Sequence, residues 1–160
     1  MNQLLSTLDA QFVALHERSS ALVRVVPPDK LYWQPGEAAA GAFPVFSCGE
    51  HLLRSAACVE QTFGGLSANL WDDPFEWTLP ETLATPALVA AYLAEVETTR
   101  RRGLASIESD SDLLKEIAAP SGENRTLFAL LSETLVRAAH HQGRAFATFH
   151  LFSNERLPNV

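Results

Sequence analysis

Residues Thr126–Ser153 read TLFALLSETLVRAAHHQGRAFATFHLFS. Leu127, Leu131, Thr134, Ala138, His141, Ala145, Thr148 and Phe152 recur there at alternating intervals of three and four. That is the spacing of the face a helix turns toward a core. The stretch predicts one long helix, and a helix with so wide an apolar stripe needs other helices to cover it. Inside it, Arg137-Ala138-Ala139-His140-His141-Gln142-Gly143-Arg144 has the spacing of a metal-binding helical motif, with an arginine in the place of a first ligand. Residues 137 and 141 lie one turn apart and can serve one site.

The same periodicity recurs upstream. Leu5, Leu8, Phe12, Leu15, Ser19, Leu22 and Val26 mark a first helix over about residues 2–25, ended by Pro27-Pro28. A connection rich in Pro, Gly and Ala follows from Pro27 to Phe46, and its Leu31-Tyr32-Trp33 should pack against the helices. Ser47 and Glu50 form an S-x-x-E capping box that starts a second helix. Leu52, Ala56, Val59, Phe63 and Leu66 form its stripe, and Gly64-Gly65 weakens its later part. Trp71 to Trp77 is an aromatic loop. A third helix starts with Thr85 as N-cap and Pro86 in the first helical position, and shows Leu88, Tyr92, Val96, Thr99 and Gly103 on one face. Residues 109–124 are polar and turn-rich, with no alternating strand pattern. Four amphipathic helices predict an all-α four-helix bundle, in one domain over residues 1–160. The long first and third connections allow a crossover arrangement.

Composition narrows the function. With 47% hydrophobic and 19% charged residues the chain has the make-up of an ordinary globular protein. No apolar run approaches the roughly 20 residues a membrane helix needs. The first fifteen residues lack a basic start and a small-residue cleavage site, so the expected location is cytoplasmic. A net charge of −7 argues against nucleic acid, which needs a basic face. The basic run Arg100-Arg101-Arg102 reads as a solvated helix end suited to the helix dipole. Cys48 and Cys58 stand ten positions apart on one helix, roughly 15 Å at about 1.5 Å per residue, and cannot bridge each other. Both read as small buried residues. Arg54, four positions before Cys58, would lower the thiol pKa if the two share an environment.

His51, His140 and His141 are the metal-ligand candidates, since a catalytic divalent ion commonly takes three protein ligands. Arg137 cannot ligate, and His140 and His141 are adjacent, about 100° apart around the helix. His51 lies off the main stripe of its helix, so it and His140 read as surface residues.

Taken in order, Leu31-Tyr32-Trp33-Gln34-Pro35-Gly36, Phe46-Ser47-Cys48-Gly49-Glu50-His51-Leu52-Leu53-Arg54 and His140-His141-Gln142-Gly143-Arg144 resemble the DinB/YfiT-like superfamily over nearly the whole chain. The resemblance implies an up-down-down-up four-helix bundle, frequently homodimeric. It also implies an ion of nickel, zinc or iron on three histidines, and in many relatives thiol S-transferase or isomerase activity. Carried over by position, the first ligand of that pattern falls on Arg54, the second on Arg137 and the third on His141. Gly143 matches as well, and Arg144 replaces a frequent glutamine.

Two of the three ligand positions are therefore permanent cations. If both face inward they make a cationic cleft suited to carboxylates or phosphates. Buried charges must be paired, and Glu60, Glu95 and Glu97 are the candidate internal partners. Three readings follow. The first is a metal-free protein without cofactor that binds a small anionic or thiol-bearing molecule through Arg54, Arg137 and His141. The second is a metal-dependent thiol S-transferase or hydrolase-like enzyme with His51 and His140 as substitute ligands beside His141. The third is a non-catalytic dimerising scaffold with internally paired arginines.

Overall fold

The computed structural model describes residues 2–36, 45–69, 71–74, 78–119 and 122–157. Four α-helices account for most of them: α1 Gln3–Val25, α2 Cys48–Ala68, α3 Pro86–Ala105 and α4 Leu127–Phe149. Short 3-10 turns occur at Pro28–Lys30 and Asp112–Leu114. Among the described residues no helix is long and apolar enough to cross a membrane.

The helix starts follow from side chains that satisfy free backbone N–H groups. Ser47 accepts from the Glu50 N–H while the Glu50 carboxylate accepts from the Ser47 N–H, the reciprocal pair of a capping box. Thr85 accepts from the Leu88 N–H, and Thr126 from the Ala129 N–H. The Gly64-Gly65 pair does not end α2, which runs on to Ala68 and closes with Asn69 in the left-handed region at φ 55°. Expected to reach Ser153, α4 stops at Phe149 and continues as turns through Ser153.

α2 packs against α3 and α4, and α1 packs against the same two helices. Asn2 donates to the Glu108 carbonyl and Arg100 to Asp9, so α1 and α3 run antiparallel. Ser55 donates to the Ala138 carbonyl at 2.8 Å and Thr62 meets Thr134 at 2.7 Å, so α2 and α4 are antiparallel as well. Phe12, Phe63, Phe149, Leu22, Leu52, Leu53 and Leu131 fill the middle. Phe12 meets Phe63 edge to face, with ring centroids 5.1 Å apart. α3 comes close to α2 at Gly103, where a Cβ would lie 2.7 Å from the Phe63 ring.

α2 is the most enclosed element. Besides its stripe it buries His51, Leu53, Ser55, Ala57, Cys58 and Thr62. A helix buried nearly all round has no single inward face, so its stripe understates what lies inside.

Three expectations need correction. Leu88 is 45% exposed, and Val89, Leu93 and Val96 carry the inner face of α3 with Tyr92. Two overlapping stripes are present in that helix, and packing chose the one containing Val89. A two-stranded antiparallel ribbon, β1 Glu116–Ala118 with β2 Asn124–Thr126, stands where a plain loop was expected. Its strands are three residues long, too short for alternation to be legible.

The third correction is Arg100, which is 2% exposed and not part of a solvated helix end. Its guanidinium donates to both carboxylate oxygens of Glu97, at 2.7 and 2.8 Å, and to Asp9 on α1. Arg101 adds a third bond to Glu97 from the exposed side. Burial alone would push the Glu97 carboxyl up, but the hydrogen bonds from Arg100 and Arg101 hold it below its ordinary value. Removing one member of a buried pair strands the other charge, at a cost of about 3–5 kcal/mol. Arg100→Ala is expected to lower the unfolding free energy by that amount in urea titrations. Arg101→Ala, whose side chain is 72% exposed, should cost less than about 1 kcal/mol. Equal losses from the two variants would contradict this assignment.

Candidate functional site

Arg54, Ala57, Cys58 and Gln61 follow one face of α2 at the i, i+3, i+4, i+7 spacing, and Arg137 and His141 stand one turn apart on α4. With Asp73 from the connection after α2, these side chains line a cleft of about 60 Å³. The three positions singled out in the sequence, 54, 137 and 141, thus meet in one place. The Ser55–Ala138 and Thr62–Thr134 hydrogen bonds hold the two helices in the register that brings them together.

Aromatic rings set the posture of the charged groups. The guanidinium carbon of Arg54 lies 4.0 Å from the centroid of the Phe46 ring, close enough for a cation–π contact. Phe46 meets His51 edge to face at 5.6 Å, and His51 lies 6.0 Å from His141. His140 is exposed, as expected, with its ring 5.7 Å from that of His141. His51 is not a surface residue: it is 5% exposed. The enclosure of α2 explains the difference, because residues off its main stripe are still covered by Phe46 and α4.

Both inner histidines are neutral at neutral pH. Burial pushes His51 down to about 4, helped by His141, Arg144 and Arg54 and opposed by Glu50. His141 is lowered chiefly by burial, then by His140, Arg54, Arg144 and Arg137. The Nδ1 atoms of both rings are buried without a hydrogen-bond partner among the described residues. Arg144 was noted in the sequence only as a departure from a family pattern. Its charge is one of those that keep both rings unprotonated, and its place three residues after His141 was the available signal.

Cys48 and Cys58 are both buried free thiols. Burial pushes Cys58 up, and the charges of Arg137 and Arg54 do not overcome it. Arg54 does act to lower the thiol pKa, as a shared environment was expected to allow, but desolvation outweighs the nearby cations. Cys48, with no such neighbours, is pushed up to about 12.

The glutamates considered as internal partners have other engagements. Both Glu97 oxygens are taken by Arg100 and Arg101, Glu60 accepts from the Tyr92 hydroxyl, and Glu95 is exposed. Arg137 has no ion-pair partner among the described residues. The cleft thus holds two guanidinium groups and one carboxylate, that of Asp73, within a chain of net charge −7. The donor set does not suit a divalent ion: arginine cannot ligate, and among the described residues no three His, Cys, Asp or Glu side chains gather to hold one.

The aromatic residues of the first two connections divide. Trp33 packs edge to face on Phe152 at 5.6 Å, the Tyr32 hydroxyl donates to the Leu83 carbonyl, and Trp71 lies against α2. Phe75 and Trp77 fall outside the described residues. Comparison with protein-family models, characterised proteins and solved structures finds no match to this chain.

A histidine held neutral inside the fold but free to protonate when unfolded stabilises the protein above the unfolded pKa of 6.5. That stability drains as pH falls through the folded value near 4. The loss should approach roughly 3 kcal/mol at the acid limit, at about 1.4 kcal/mol per pKa unit. His51→Gln is expected to flatten the fall in urea midpoint between pH 6.5 and 4. An unchanged acid limb would show that His51 titrates normally in the folded protein.

Proposed function

We propose that this chain is a DinB/YfiT-like four-helix bundle of up-down-down-up topology whose metal position has become an anion site. It binds, without metal, a small anionic or thiol-bearing molecule through Arg54, Arg137 and His141. The topology is supported by the antiparallel pairing of α1 with α3 and of α2 with α4. The observation that carries the functional reading is the convergence of the two arginines and one histidine on a single cleft. Two guanidinium forks match the oxygens of a carboxylate or phosphate, and a neutral imidazole can add one donor or one acceptor. Cys58 stays a protonated thiol in this reading and lines the cleft without acting as a nucleophile.

Calorimetry of protein purified without a nickel column tests the reading, with inorganic phosphate, small carboxylates and small thiols as probes. A saturable site weakened at least tenfold by Arg137→Ala is the expected result. Arg137 is exposed, so its loss should leave the helical circular dichroism unchanged. Absence of any binder would favour a dimerising scaffold. Stoichiometric zinc, nickel or iron that is lost on His141→Ala would favour the metal-dependent thiol S-transferase instead. The resemblance also carries a homodimer, which sedimentation equilibrium would reveal.

A further inference from the structure

The cleft does not end at its inner residues. Arg137 and Gln61 also line a second cavity of about 310 Å³, walled by Thr62, Thr134, Leu130, Trp71 and Arg125. The lining positions advance along α2 from 54 through 58 and 61 to 62, and retreat along α4 from 141 through 137 and 134 to 130. In an antiparallel pair that order describes one continuous groove. Positions 54 and 62 set its length at roughly 12 Å, at about 1.5 Å per residue.

Its two ends differ chemically. Arg54, Arg137 and His141 face the inner end, where Asp73 is the one carboxylate in the lining. At the outer end Arg125 is engaged by Glu133 and Glu123, so its charge is largely offset. The outer cavity is also lined by Trp71, packed onto α2 one turn beyond Gln61, where residue 65 has no side chain. A Cβ at Gly65 would lie 2.2 Å from the indole ring. The Trp71 carbonyl accepts from Gln61 at 3.0 Å, and the indole N–H donates to Asn69 at 3.1 Å. A half-buried indole fixed at backbone and ring is a rigid stacking wall.

We infer that the ligand is an elongated molecule with one anionic head, phosphate or carboxylate, and an uncharged aromatic body lying along Trp71. This rests on the anion site proposed above and adds the class of molecule that site would take.

Inorganic phosphate and 2-naphthyl phosphate are the probes, titrated by calorimetry into the full chain. The naphthyl ester is expected to bind about tenfold more tightly than inorganic phosphate, the scale of one good stacking contact. Trp71→Ala should abolish that preference and leave phosphate affinity within about twofold of wild type. Gly65→Ala, which pushes the indole off the helix without removing it, should do the same. Arg137→Ala should weaken both probes together. Equal affinity for the two probes in the wild type would overturn the aromatic subsite and leave the anion site standing. A preference that survives both Trp71→Ala and Gly65→Ala would also overturn it. Failure of both probes to bind would remove the anion site, and the inference with it.

Discussion

Ser55 gives its hydroxyl proton to the Ala138 carbonyl, and farther along the same contact Thr62 and Thr134 share a hydrogen bond. Thr134 spends its own proton on the Leu130 carbonyl, so Thr62 must be the donor across the interface. These bonds lock the register of α2 against α4 where no water can substitute for either partner. A buried hydroxyl left without its acceptor costs about 1–3 kcal/mol, which is enough to disfavour a slipped register. The core packing of Leu52, Phe63 and Leu131 and the convergence of Arg54, Arg137 and His141 both depend on that register.

The same contact explains how the ionisable groups around the cleft divide into neutral and charged ones. α2 is enclosed almost all round, so its polar residues are either hydrogen-bonded or desolvated. Histidine responds to desolvation by staying neutral, as His51 and His141 do. Arginine cannot respond that way, and Arg54 keeps its guanidinium against the face of Phe46. Cysteine responds by holding its proton more tightly, as Cys58 does although two cations lie near. Similar surroundings thus fix the ionisation of the histidines and the cysteine and leave the arginines charged.

A buried charge cluster, Arg100 with Glu97 and Asp9, ties α3 to α1. There the cation meets carboxylates of its own chain. Arg137, on which the proposed anion site turns, has by contrast no ion-pair partner among the described residues.

Much was legible in the sequence because it depends on local chemistry. Ser47 with Glu50, Thr85 with Pro86 and Thr126 announce helix starts, since each satisfies backbone groups within its own turn. The stripes of α1 and α4 identify their inner faces, and the spacing of 137 and 141 identifies one side of the site. Burial that depends on a second helix was not legible. His51 lies off the stripe of α2 yet is covered by Phe46 and α4, Arg100 in a basic run is buried against carboxylates, and Leu88 gives way to Val89. The aromatic wall also escaped the sequence, because Trp71 and Gly65 acquire meaning only through their close approach. By itself the sequence determined helix positions, caps and the candidate cations, all of which rest on neighbours within about a turn. Tertiary structure alone decided which ionisable groups lose water and which meet a counter-charge, because desolvation and pairing depend on neighbours that the fold, not the chain, supplies.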